Sequence, residues 1–288
     1  MNLEKTYQTI TTQVIDQQIL LITLNRPEVG NALNTMMGQE LYELWRDITE
    51  DCGEMRCAIL TGTGNKIFCA GGDLKERNGM TKIQWKRQHE IFERHYWEMT
   101  DLPIPLIAAV NGHAYAGGLE MALSCDFIYA SRTARFALTE VTLGIMPGAG
   151  GTQNLPRAIG ERRAKEIILT GKPFSAESAY DWGLVNYLFD AEQVLEEALK
   201  TANVLSGGEK VRCMLSRMMM IRANVLMLDE PTNHLDLESI QSVNEGLKAF
   251  RGPMILTSHD HSILSSVASK VVEIGRKGCV VFEGTFDK

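Results

Sequence analysis

Three glycine-bearing turns hold the residues best placed to do chemistry: Phe68 to Glu76 (FCAGGDLKE), Asn111 to Asp126 (NGHAYAGGLEMALSCD) and Phe136 to Gln153 (FALTEVTLGIMPGAGGTQ). Glycine has no Cβ to hold a ligand away from the chain, so such turns can present bare backbone N–H groups. In the second turn the amides of Gly117 and Gly118 open a helix whose dipole favours negative charge, and the chemical consequence is a site for an oxyanion. Taken one at a time, each turn reads at least as readily as a structural corner. The loop G-x-x-x-x-G-K-[ST], whose amides and lysine surround a triphosphate, occurs nowhere in the 288 residues.

The elements around these turns alternate between two periods. Gln18 to Leu24, Cys57 to Thr61, Leu106 to Val110 and Asp126 to Ala130 are short apolar runs bounded by Gly, Asn or Pro, which predicts buried strands. Met37, Leu41, Leu44 and Ile48 recur at helical spacing behind Asn34, a suitable N-cap, so Asn34 to Glu50 reads as a helix. Thr81 to Thr100 reads as a long polar helix carrying Trp85, Phe92, Tyr96 and Trp97, and Ala191 to Ala202 as another. Alternation of this kind implies an α/β architecture with parallel strands.

Charge is unevenly placed. Residues 204–288 hold 10 Lys+Arg and 10 Asp+Glu, so the acidic excess behind the net charge of −7 lies entirely in the N-terminal segment. That weighs against non-specific nucleic-acid binding, which needs basic surface. The six cysteines (Cys52, Cys57, Cys69, Cys125, Cys213, Cys279) form no C-x-x-C pair, and reduced, buried thiols are expected rather than a metal site. The N-terminus lacks the apolar core of a signal peptide and no run is long enough to span a bilayer, so a cytoplasmic protein is expected.

With Leu24 to Asn34 (LNRPEVGNALN) before them and Leu169 to Val185 (LTGKPFSAESAYDWGLV) after, the three turns together resemble the crotonase family, in particular enoyl-CoA hydratases, over residues 10 to 202. The resemblance implies a ββα superhelix and an acyl-CoA thioester as substrate, with no further cofactor for hydration. It makes Gly72 and Gly117 the two backbone donors to the thioester oxygen as an enolate forms. Glu120, on the first turn of its helix, and Glu140, at the end of the FALTE strand, match the two catalytic glutamates. One carboxylate takes a proton from water as it attacks the β-carbon, the other group delivers a proton to the α-carbon, and a close pair raises one pKa. Gly148 matches the glycine that helps hold the attacking water. Ala70, Gly71, Asp73 and Leu74 fall where the adenine would lie, and Lys75 or Arg26 where phosphates would, although such side chains are more often simply solvated. Trp85, Phe92 and Tyr96 either line the acyl pocket or pack in the core, and core packing is the better reading. Crotonases continue past the position of Ala202 into helices that cover the site and build a trimer. Here the chain departs from them, which leaves a homo-oligomer open and puts the family trimer in doubt.

From Val204 onward a different series appears. LSGGE (Ser206, Gly207, Gly208, Glu209), VLMLDE (Asp229, Glu230), PTNHLD (Asp236) and TSHD (His259) resemble the ABC ATPases, the run LDEPTNHLDLES being most like the ABC-F group. The resemblance implies that Asp229 holds Mg²⁺ through water, Glu230 orients the attacking water, His259 senses the γ-phosphate, and Ser206 with Gly208 clasps ATP on another domain. The phosphate-binding half is missing, so neither ATP nor Mg²⁺ is expected to bind. The expected architecture is α/β throughout: a crotonase-like catalytic domain over 1–203, then a partial P-loop NTPase fragment over 204–288. The expected activity is enoyl-CoA hydration. Another crotonase reaction such as isomerisation, an ATP-dependent interaction module and a non-functional chimera stand as alternatives.

Overall fold

The computed structural model describes residues 5–205, 225–232, 237–250, 252–275 and 278–284. They divide into two compact units, Met1–Leu205 and Ser206–Lys288.

The first unit is organised on a six-stranded sheet in the order β1-β2-β3-β5-β7-β10, with β1 Ile10–Ile15, β2 Ile19–Leu24, β3 Cys57–Gly62, β5 Leu106–Val110, β7 Phe127–Ser131 and β10 Tyr187–Phe189. Its central strands are mostly apolar because both faces are covered, and successive residues turn to opposite sides. Leu20, Ile22, Ala58, Leu60, Leu106 and Ala108 join one core, which also receives Met37, Leu41, Leu44 and Ile48 from helix α1 (Thr35–Glu50). Ile19, Leu21, Cys57, Ile59, Ile107 and Ala109 join the other, covered by Val194, Ala198 and Ala202 of a later helix, Val194–Val204. Asn34 caps α1 by accepting from the Met37 amide at 2.9 Å. Thr81 and Gln84 form a reciprocal capping box at the start of α3 (Lys82–Thr100), with α2 being the single turn Leu74–Arg77 before it.

Two expectations require correction. The strands are not all parallel. β1 runs antiparallel to β2 through a three-residue turn, Asp16 to Gln18, in which Asp16 and Gln17 both take positive φ (49° and 62°) and the Gln18 amide donates to the Ile15 carbonyl at 3.1 Å. Nor does Glu140 end a strand. A second, four-stranded sheet carries the glycine turns in the order β4-β6-β8-β9, with β4 Ile67–Cys69, β6 His113–Tyr115, β8 Arg135–Ala137 and β9 Phe174–Ser175. Because β6 gives way at Ala116 to helix α4 (Gly117–Leu123), β8 has no ladder beyond Ala137, and Glu140 opens a 3₁₀ turn, Glu140–Leu143, instead.

The second unit contains a parallel pair, Leu226–Asp229 against Met254–Thr257, and an antiparallel pair, Lys270–Gly275 against Gly278–Glu283. Helices span Leu237–Ala249 and His261–Val267, and Val243, Leu247 and Ile263 form a small core of their own. Among the described residues no helix is long and apolar enough to cross a membrane.

The α1–α3 packing contains a polar contact that a sequence pattern does not reveal. Trp45, fully buried, donates from Nε1 to His95 Nδ1 at 2.8 Å, and burial pushes the His95 imidazole down to about 3, so it is neutral. Trp45→Phe leaves that nitrogen buried without its donor and is expected to cost about 1–3 kcal/mol. Urea denaturation checks this, and an unchanged midpoint would refute it.

Candidate active site

The two glycine turns reach the site by pressing against each other. Gly71 has φ +88°, and a Cβ there would lie 2.8 Å from the Ala116 Cβ and 2.9 Å from the Tyr115 carbonyl oxygen; a Cβ on Gly118 would lie 2.2 Å from the Cys69 carbonyl oxygen. Only glycine permits this approach. Ala116 is itself held at φ +49° and ψ −124°, and the chain then enters α4 with Gly117 at its first position. As a first helical residue, Gly117 has an amide with no intrahelical acceptor. Its carbonyl is held by the hydroxyl of Tyr96, which donates to it from α3. Gly72 lies in a bridge to Leu33 formed by the Leu33 amide to the Gly71 carbonyl and the Asp73 amide to the Leu33 carbonyl, each 2.8 Å, so the Gly72 amide takes no part in it. Gly72 and Gly117 both line one cavity of about 640 Å³.

Glu120 and Glu140 line the same cavity and are 3% and 6% exposed. Their environments differ. Burial raises the Glu120 carboxyl, while the amides of Gly151 and Ala149, at 2.9 and 2.8 Å from its Oε1, act in the opposite direction by favouring the charged form. Glu140 has no such pair. Burial pushes it up to about 7, its own backbone amide opposing and the neighbouring Glu120 adding to the rise, and its Oε2 has no hydrogen-bond partner among the described residues. The site thus contains one carboxyl wrapped in amides and one held near neutrality with an oxygen unspent.

Of the other expected site residues, Gly148, Ala70 and Leu74 line the cavity, and Gly71, Asp73, Lys75 and Arg26 do not. Lys75 is exposed. Arg26 is engaged elsewhere: Nη2 pairs with Asp73 Oδ2 at 3.0 Å and Nη1 donates to the Ala32 carbonyl at 2.6 Å. Burial alone would raise the Asp73 carboxyl, but the Glu76 and Lys75 amides and the Arg26 guanidinium bring it below its ordinary range. Phe92 and Tyr96 are at once core residues and cavity wall, whereas Trp85 lines the cavity while 43% exposed and stacks on His89. The sequence reading missed the Ala149 and Gly151 amides, for which the only signal was the Gly150-Gly151 pair, and it missed Arg77, which also lines the cavity.

In the second unit, Asp229 ends its strand and accepts from the Thr257 hydroxyl on the neighbouring strand. The Glu230 carboxylate accepts the His259 amide at 3.2 Å and lies 3.5 Å from His259 Nε2. Ser206, Gly207, Gly208, Glu209 and Asp236 lie outside the described residues.

A family model described as enoyl-CoA hydratase/isomerase matches residues 14–254. The chain belongs to that family. The match runs well past residue 202, where the resemblance was expected to stop. The chain is 38% identical over 200 residues to a short-chain-enoyl-CoA hydratase of Clostridium acetobutylicum, covering 69% of this chain and 76% of that protein. It is 40% identical over 191 residues to a mitochondrial enoyl-CoA hydratase of Pongo abelii, covering 66% and 64% of the two chains. A crystal structure of an enoyl-CoA hydratase from Bacillus anthracis superposes with a TM-score of 0.71 at 36% identity, over 83% of this chain and 89% of that one.

The Glu140 environment has a consequence for stability. An unfolded chain releases this proton near the ordinary 4.5, whereas the folded chain keeps it to about 7. Between those values the folded state binds the extra proton, so its stability falls as pH rises through the window. Compared with its own value near pH 4.5, Glu140→Gln is expected to retain about 1–2 kcal/mol more stability than the parent near pH 8, allowing for water in the cavity. Denaturation curves at the two pH values test this; identical pH dependence in both proteins would refute it.

Proposed function

We propose that the first unit adds water reversibly to a 2-enoyl-CoA thioester, with Glu120 as general base and Glu140 as general acid. The supporting observation is the shared cavity, lined both by two carboxyls of unlike hydrogen bonding and by Gly72 and Gly117, whose amides have no acceptor among the described residues. The thioester oxygen accepts from the Gly72 and Gly117 amides, which strengthen as negative charge moves onto it. Glu120, whose carboxylate form the Ala149 and Gly151 amides favour against the effect of burial, takes a proton from water as the water oxygen bonds to the β-carbon. Glu140, poised near 7, passes its proton to the α-carbon as the enolate collapses, and proton return between the two groups through solvent resets the site. Gly148, which lines the same cavity, is our proposed contact to the attacking water. The backbone from Ala70 to Leu74 is our proposed adenine contact, with Lys75 the better phosphate ligand because Arg26 is spent on Asp73.

For residues 204–288 we propose a remnant of an ABC-F-type ATPase that turns over no ATP alone. Support comes from the order of its motifs and from the parallel strands that put Asp229, Glu230 and His259 at one strand end. A triphosphate would find no cradle there, because the chain has no phosphate loop, and phosphoryl transfer depends almost wholly on positioning.

Glu120→Gln and Glu140→Gln are each expected to slow hydration of 2-butenoyl-CoA by about a hundredfold or more, the scale of losing a general acid or base. The double variant should lose far less than the product of the two, since the groups act as a unit. Loss of the enoyl-thioester absorbance follows the reaction, and full activity in either single variant would overturn the assignment. For the second unit, purified protein should release no phosphate from Mg²⁺-ATP, and Glu230→Gln should leave hydration unchanged; turnover abolished by that substitution would refute the remnant reading.

A further inference from the structure

Arg77 is a charged residue of the cavity wall to which hydration of a plain hydrocarbon chain gives no role. It ends α2, and its Nε donates to Gln88 Oε1 at 2.8 Å. Gln88 is 1% exposed and its orientation is fixed from the other end, where Nε2 donates to Thr35 Oγ1 at 2.9 Å and Glu76 Oε2 at 2.7 Å. The Phe92 ring lies 5.4 Å from the guanidinium carbon. The Nη end is left over, with no acceptor among the described residues, and it stands beside the oxyanion turn: a Cβ built on Gly72 would lie 3.3 Å from Nη1 and 3.5 Å from Nη2. Of the acidic side chains on the cavity wall, Glu93 lies 3.4 Å from His89 Nε2 and Glu120 accepts from two amides, while Glu140 keeps an unpartnered Oε2.

A half-buried guanidinium facing an oily acyl chain loses hydration and gains nothing. Facing a carboxylate, the same planar end makes two parallel charge-assisted hydrogen bonds, and the Gln88 clamp means little side-chain freedom is lost in making them. On the basis of the hydratase reading, we propose that the substrate is a short 2-enedioyl-CoA, an enoyl thioester whose far end is a carboxylate, and that the Nη groups of Arg77 bind that carboxylate.

The test compares 2-pentenedioyl-CoA with 2-pentenoyl-CoA, the same chain without the distal charge, for the full-length protein and for Arg77→Met and Arg77→Lys. The parent is expected to favour the diacid by about tenfold or more in kcat/KM. Arg77→Met should lose about ten- to a hundredfold on the diacid, chiefly through KM, and keep or gain activity on 2-pentenoyl-CoA, with Arg77→Lys recovering part of the loss. An equal loss on both thioesters would make Arg77 a third donor to the enolate oxygen and overturn the proposal, as would a parent enzyme with no preference. Titration with the unreactive pentanedioyl-CoA and pentanoyl-CoA separates this proposal from the reading it rests on. If neither enoyl thioester is hydrated, the hydratase assignment fails, yet an Arg77-dependent preference for binding the diacid still supports the carboxylate site, and its absence refutes it.

Discussion

The steric contact between two glycine turns governs the site. Gly71 and Gly118 are placed where the opposing backbone occupies the volume a side chain would need, so the Phe68–Glu76 and Asn111–Asp126 segments can come together only with glycine at both points. The small sheet β4-β6-β8-β9 exists to hold that contact, since β4 and β6 pair in parallel immediately before the two turns. From it follow the places of Gly72 and Gly117 on the cavity wall, the entry of α4 with Glu120 one turn in, and the unusual backbone of Ala116. Strain of that kind costs of the order of 1–3 kcal/mol and persists where its surroundings over-determine it. Here the surroundings include the Tyr96 hydroxyl on the Gly117 carbonyl and the Ala116 amide on the Ala137 carbonyl.

The same burial that lifts both carboxyls also divides their work. Desolvation acts on Glu120 and Glu140 alike, and hydrogen bonding then separates them, because amide donors stabilise only an anion. The loop between Pro147 and Gly151 supplies those donors to Glu120 alone. Burial is the main reason that the Glu140 carboxyl is lifted to about 7, and the proximity of Glu120 adds to it.

Much of the scaffold was legible in the sequence because it obeys simple periods. The four central strands and α1 stand where apolar runs and the Asn34 cap put them. The hairpin of β1 was not legible, since its turn uses Asp16 and Gln17 at positive φ where Asn-Gly would have signalled it. Of the second sheet only β8 was read, as FALTE and with its end set too late; β4, β6 and β9 are too brief to leave a pattern. At the site, the glycine turns and glutamates carry strong local signatures. The clamp on Arg77 does not, because Thr35, Glu76 and Gln88 meet only in three dimensions. Arg26 shows the converse: a cation beside a suspected phosphate site that the fold commits to Asp73.

The C-terminal motifs separate local geometry from function. Leu226–Asp229 and Met254–Thr257 pair in parallel residue by residue, which is enough to set Asp229 beside Thr257 and to let Glu230 meet His259. Such strand-end clusters are fixed by register and a few hydrogen bonds, so they persist in any fragment that keeps the two strands together. A triphosphate asks for more, namely a continuous row of amides and a lysine arranged around three phosphates. Register alone thus gathers carboxylates and an imidazole at one strand end, and that local geometry assigns them no ligand.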